Sequence, residues 1–174
     1  MAKKKPGFRC ASCGEWHDEL LTDIACGLPD DVFALDYLQR YQRARYNQDF
    51  CTLDEKRHFI RCVLPVPFSY RDDFFGWGVW VEVGRKQHDA YLKYFDADGE
   101  EGSAPAPALQ GVVANNLRGY RPTQGLAVRL DLAHSPDQRP LAYLLPASRH
   151  ALALEQRRGI GAERHHELAL PFGG

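Results

Sequence analysis

Residues 74–84 read FFGWGVWVEVG, and their period decides the fold class. Phe75, Trp77, Val79, Val81 and Val83 alternate along one face, the two-residue repeat of a strand with one side turned to a core. Gly76 and Gly78 thin the opposite face, which leaves room for a bulge or for close approach of another backbone. Upstream, RHFIRCVLPVPF (57–68) repeats the pattern at Ile60, Cys62, Leu64 and Val66 before prolines end it. Downstream, Leu126, Val128, Leu130 and Leu132 alternate, and SPDQRP (135–140) separates them from Leu141, Tyr143 and Leu145, which reads as two strands of a hairpin.

Helical spacing frames these strands. LPDDVFALDYLQRYQRARYN (28–47) opens on proline and acidic residues and repeats apolar groups at Val32, Leu35, Leu38 and Tyr41 with helical spacing. RKQHDAYLKYF (85–95) reads as a helix with Tyr91, Leu92 and Phe95 inward. LQGVVANNLRGYRPTQ (109–124) is expected to be a short helix ending at Gly119. HALALEQRRG and IGAERHHELAL (150–170) give two more, punctuated by Gly159 and Gly161. DADGEEGSAPAPA (96–108) has the composition of a surface loop. Strands in the middle and helices at the ends give an α+β fold: one domain with a mainly antiparallel central sheet flanked by helices. The domain should span 8–170, between a basic tail at 1–7 and a short tail at 171–174.

The chain has 174 residues, 44% hydrophobic and 26% charged, enough for one sizeable core. Its 22 basic and 23 acidic residues nearly cancel, so no global field draws nucleic acid or an anionic bilayer. Lys3 to Lys5 form the single basic run, and no apolar stretch follows it as a leader would require. Nothing approaches a membrane span, and a cytoplasmic protein is the expectation.

The chemistry concentrates in FRCASCGEWH (8–17). Two cysteines two residues apart supply a pair of thiolates from one tight turn, as zinc sites use, and Gly14 tolerates the positive φ such a turn needs. A redox pair would need a strand before Cys10 and a helix after it, and only PGFR (6–9) precedes it. Candidates for the remaining ligands are His17, Cys26, Cys51 and Cys62. His17 can fold back from the same loop, and Cys51 is read in a polar turn. Cys62 shares an alternating face with Ile60 and Leu64, where a thiol packs as a small hydrophobe. The preferred set is Cys10, Cys13, His17 and Cys51, making a zinc-knuckle-like N-terminal loop.

Other motifs carry less. HHE (165–167) points adjacent side chains about 100° apart and reads as a solvated face. No serine lies in a G-x-S-x-G context. FDADGEE (95–101) lacks the spacing of a calcium loop. Asp72, Asp73 and Glu82 beside Trp77 and Trp80 could line an acidic aromatic cleft, but core tryptophans with solvated carboxylates are the favoured reading.

Taken together, FRCASCGEWH (8–17), DFCTLDEKRHFIRCVLPVPF (49–68), FGWGVWVEV (75–83), GYRPT (119–123) and RHALALEQRRGI (149–160) make the chain resemble a family of small bacterial proteins, domain of unknown function 2199. The resemblance implies cysteine at the positions of Cys10, Cys13 and Cys51 and histidine at that of His17, and it implies no reaction. The functional expectation is a zinc-binding, non-catalytic module that engages another protein, an immunity-type partner being one version. A hydrolase with an open zinc position is the alternative, and a nucleic-acid-binding module is third. No catalytic residue is named.

Overall fold

A computed structural model describes residues 8–10, 13–17, 19–97, 107–132 and 138–172. The basic tail, residues 98–106 of the central loop, and 133–137 with His134 lie outside the described residues. The elements are β1 (Phe8–Arg9), β2 (Trp16–His17), β3 (Asp23–Ala25), α1 (Asp30–Phe33), α2 (Tyr37–Arg43), β4 (Ala44–Tyr46), β5 (Phe50–Leu53), β6 (Arg57–Pro67), β7 (Phe74–Val83), α3 (Arg85–Asp96), β8 (Leu109–Val113), β9 (Ala127–Asp131), β10 (Leu141–Leu144), α4 (Ala151–Arg158) and α5 (Ala162–Ala169). A 3₁₀ turn, Leu170–Phe172, follows and overlaps the expected tail.

The fold is α+β, as expected. The two long strands β6 and β7 pair antiparallel along their length, from His58 opposite Val83 to Pro67 opposite Phe74. Around them β7, β8, β9, β10 and β6 close into a five-stranded barrel. Inside it stand Ile60, Cys62, Leu64 and Val66 from β6 and Phe75, Trp77, Val79, Val81 and Val83 from β7, the two sets that alternation marks in the sequence. Trp80 faces away, into a second cluster with Val32, Cys51, Leu53 and Phe59. Both tryptophans of β7 are therefore core residues, and Glu82 is held by Arg57 at 2.8 Å rather than lining a cleft.

Glycine sets how closely strands approach. A Cβ on Gly78 would stand 3.0 Å from the Ala25 backbone of β3, the neighbour that the thin face admits. At Gly111 on β8 it would stand 2.3 Å from the Glu82 carbonyl. That glycine and the β-branched Val112 and Val113 build a strand where a helix is expected, and Gly119 (φ +91°) closes a turn instead.

The barrel's seam is its one parallel internal pairing, with Leu141 of β10 in register with Val63 of β6. Beyond that pair, Gln156 of α4 bridges the gap. Its amide donates to the carbonyls of Pro65 and Ala142 and accepts from the Leu144 N–H. Pro65 has no N–H to offer a ladder, so a side chain completes it. On β10 the inward residues are Ala142 and Leu144, the opposite phase to the expected Leu141, Tyr143 and Leu145; Arg129 covers the Tyr143 ring from outside.

The expected helix over 28–47 breaks at Asp36, whose carboxylate caps the Gln39 N–H of α2. β4 follows at once, and β5 begins before Cys51. The turn falls later, with Asp54 and Glu55 both at positive φ in the three-residue loop, closed by Lys56, that links β5 to β6. On α3, Tyr91 is buried and Phe95 packs partly against the core, but Leu92 is exposed.

His58 of β6 and His88 of α3 stack with ring centroids 4.5 Å apart. Both are buried, and neither His58 ring nitrogen has a hydrogen-bond partner among the described residues. Burial pushes His58 below the ordinary histidine range; His88 and Arg85 add to this and Asp89 opposes it. Phe50 meets the His88 ring edge-on. With the folded value depressed, stability is fully present above the unfolded value of about 6.5 and is lost as pH falls below it. The urea midpoint should drop more steeply on acidification in the wild type than in His58→Phe; equal slopes would remove His58 as the cause.

Candidate metal centre

Two stretches far apart in sequence build one cluster. In the first, β1 and β2 pair with Phe8 opposite His17, which returns His17 to the side of the cysteines. The connecting loop is closed by the Cys10 N–H donating to the Glu15 carbonyl at 2.7 Å and the Gly14 N–H donating to the Cys10 carbonyl at 2.8 Å. Gly14 has φ +77° with open space around it, so the need for glycine there is conformational. Cys13 Sγ lies 3.2 Å from His17 Nε2. Cys10 and His17 are buried and Cys13 is exposed.

The second stretch is α5. Its approach is fixed where Ile160 joins the end of β6, its N–H donating to the Pro67 carbonyl and its own carbonyl accepting from the Ser69 N–H. Leu168 and Ala169 enter the core, which turns His165 and His166 inward as well. They point different ways. The His165 Nε2–H donates to the Leu21 carbonyl at 2.7 Å, which leaves Nδ1 to accept from the Tyr70 hydroxyl at 2.6 Å. His166 faces the N-terminal loop, its ring centroid 5.3 Å from that of His17, and its Nε2 is buried with no hydrogen-bond partner among the described residues.

One donor atom from each of Cys10, Cys13, His17 and His166 lies within 4.8 Å of the others. The group could hold a metal ion. Two thiols and two imidazoles suit borderline or soft cations, and a buried imidazole nitrogen with no partner among the described residues fits a metal donor.

Three of the four residues chosen from the sequence thus come together, and the structure puts the fourth elsewhere. Cys51 is fully buried on β5 in the second core cluster, apart from the group, and desolvation pushes its thiol up to about 11. The reason is the later turn: with the hairpin at Asp54–Glu55, Cys51 is an inward strand residue. Cys26, half-buried, is likewise pushed up to about 11, burial leading and Asp30 adding. Cys62 is inside the barrel, as its alternating face indicates. His166 occupies the fourth place, against the solvated face expected for HHE. Its signal was present in the spacing, because Leu168 and Ala169 share a helical face with positions three residues earlier.

Fold and site together define a small α+β protein: a closed five-stranded barrel carrying a Cys/His cluster formed by an N-terminal hairpin and a late helix. The chain belongs to the family described as uncharacterised protein conserved in bacteria, DUF2199, whose pattern matches residues 9–160. The match takes in Cys10, Cys13 and His17 and stops before His166. No curated protein and no solved structure matches the chain. Among the described residues no helix is long and apolar enough to cross a membrane.

Proposed function

We propose that Cys10, Cys13, His17 and His166 form a structural zinc site, and that the protein works by binding rather than by catalysis. The observation that carries this is the mutual proximity, among the described residues, of four soft or borderline donors, two sulfur and two nitrogen, within 4.8 Å. Bound zinc supplies a cross-link between the hairpin and α5. With metal–ligand lengths of about 2.0–2.3 Å, tetrahedral donors stand roughly 3.3–3.8 Å apart, so the group needs only a small contraction. Four protein donors fill that coordination and leave no position for an activated water. The neighbouring bond from His165 to the Leu21 carbonyl already ties the N-terminal segment to α5, and holds the helix in the orientation that presents His166.

Metal analysis of the purified protein tests the reading, with cobalt substitution to report the donors. Zinc should copurify at about one per chain, and the cobalt form should show thiolate charge-transfer bands with tetrahedral d–d transitions. Cys13→Ser should lose the metal, because an alcohol is a poor replacement for thiolate, while Cys51→Ser should keep it. The set with Cys51 as fourth donor requires the opposite result for Cys51→Ser. Cobalt spectra showing five-coordination or an exchangeable water would favour the hydrolase instead.

A further inference from the structure

Helix α2 contains no buried residue. A surface helix ordinarily turns an apolar stripe to the core; here Tyr37, Leu38 and Tyr41 are 82%, 61% and 72% exposed. Phe33 just before the helix and Tyr46 on β4 are exposed too. What fixes the helix is its polar side. Asp36 caps its start, and Arg43 makes a two-pronged bond to Asp54. Arg40 forks onto the carbonyls of Val32, Phe33 and Leu35, closing the end of α1. The aromatic side is thereby held rigid and uncovered, along a groove of about 820 Å³ between α2 and β4.

Among the described residues the groove's lining includes Arg40 and Arg45 and no carboxylate, and residues 37–46 contain three arginines and no Asp or Glu. Neither Arg40 nor Arg45 has an ion pair among the described residues. The open surface is therefore aromatic and positively charged, and complementary to an occupant that is apolar and acidic. Tyrosine and arginine without lysine is the composition that protein interface cores favour. Nucleic acid is disfavoured because two arginines, whose donors are partly spent on main-chain carbonyls, are too few to track a phosphate backbone. Strand addition to β4 is disfavoured too, since Ala44 already donates to the Arg40 carbonyl and accepts from the Arg45 guanidinium.

We propose that the groove between α2 and β4 docks a segment of a partner protein that presents apolar side chains flanked by carboxylates. The proposal rests on the reading of the protein as a binding module and shares no residue with the metal cluster.

A random dodecapeptide phage library panned on immobilised zinc-loaded protein tests it, with counter-selection on a Tyr37→Ser/Tyr41→Ser variant. Enriched peptides should combine Asp or Glu with Leu, Phe or Trp. Their synthetic forms should bind wild type at least about 30-fold more tightly than Tyr41→Ser or Arg45→Glu, the loss expected at an interface hot spot. The proposal is overturned if no peptide is enriched over the double variant, or if the enriched set is basic. Labelled oligo(dT) binding at physiological salt, or self-association by sedimentation, either one abolished by Tyr41→Ser, would also overturn it. All the altered residues are exposed, and zinc content with melting temperature, measured on each variant, shows that the fold is kept. Peptide binding retained in zinc-free Cys13→Ser would separate a failure of the metal reading from a failure of this one.

Discussion

Replacing His166 with alanine is expected to lower zinc affinity at least about 100-fold and to release the N-terminal hairpin from α5 while the barrel stays folded. The other three donors lie within residues 10–17, so His166 alone makes the site a link between distant parts of the chain. Apparent zinc-binding energies of about 10–16 kcal/mol in small structural sites, shared among four donors, put one donor at several kcal/mol. Losing an outer-shell partner already costs roughly 10–100-fold. Competition with a chromophoric chelator gives the affinity, and amide exchange over 8–17 and 162–169 gives the release. Unchanged affinity in His166→Ala would exclude His166 as a ligand. Chelating the wild-type metal should reproduce the exchange pattern without altering protection of β6 and β7, which pair with each other along their length.

Trp80→Ala should cost about 3–5 kcal/mol, the range for removing a fully buried large aromatic. The side chain is 1% exposed, fills the second cluster against Val32, Cys51 and Phe59, and donates its indole N–H to the Cys26 carbonyl at 3.2 Å. The Arg61 guanidinium covers its outer face. For a chain of this length the melting temperature should fall by roughly 6–20 °C. Trp80→Phe isolates the polar share: it keeps most of the volume but leaves a shielded carbonyl without its donor, for about 1–3 kcal/mol. If the two variants were equally stable, volume in this cluster would not matter, and the packing described for β7 would be wrong.

The central strands were legible because alternation is a local code and their inner faces are uniformly apolar. Ile60 to Val66 and Phe75 to Val83 both enter the barrel as their period indicates. Where both phases of a segment are apolar the code gives no preference, and LAYLL (141–145) was assigned the wrong face for that reason. LQGVVANNL (109–117) hides a strand because the decisive constraint on Gly111 comes from Glu82, almost thirty residues away. The same limit governed the metal centre. Cys10, Cys13 and His17 are neighbours in sequence and were found together, whereas His166 joins them only through the packing of α5 on the core. The exposed face of α2 misled in the other direction: its spacing is that of a buried stripe, and nothing local says the stripe points outward.

The amide of Gln156 has a consequence for how the chain is made. Strands β6 to β9 can meet as soon as they emerge from the ribosome, and β10 then joins β6 at Leu141 and Val63, but the seam beyond that pair lacks its bridge until the polypeptide is translated past α4. Until then the carbonyls of Pro65 and Ala142 and the Leu144 N–H have only water to bond, and the inner apolar faces stay partly wetted. Completion of the seam during biosynthesis therefore waits on the arrival of a single side chain.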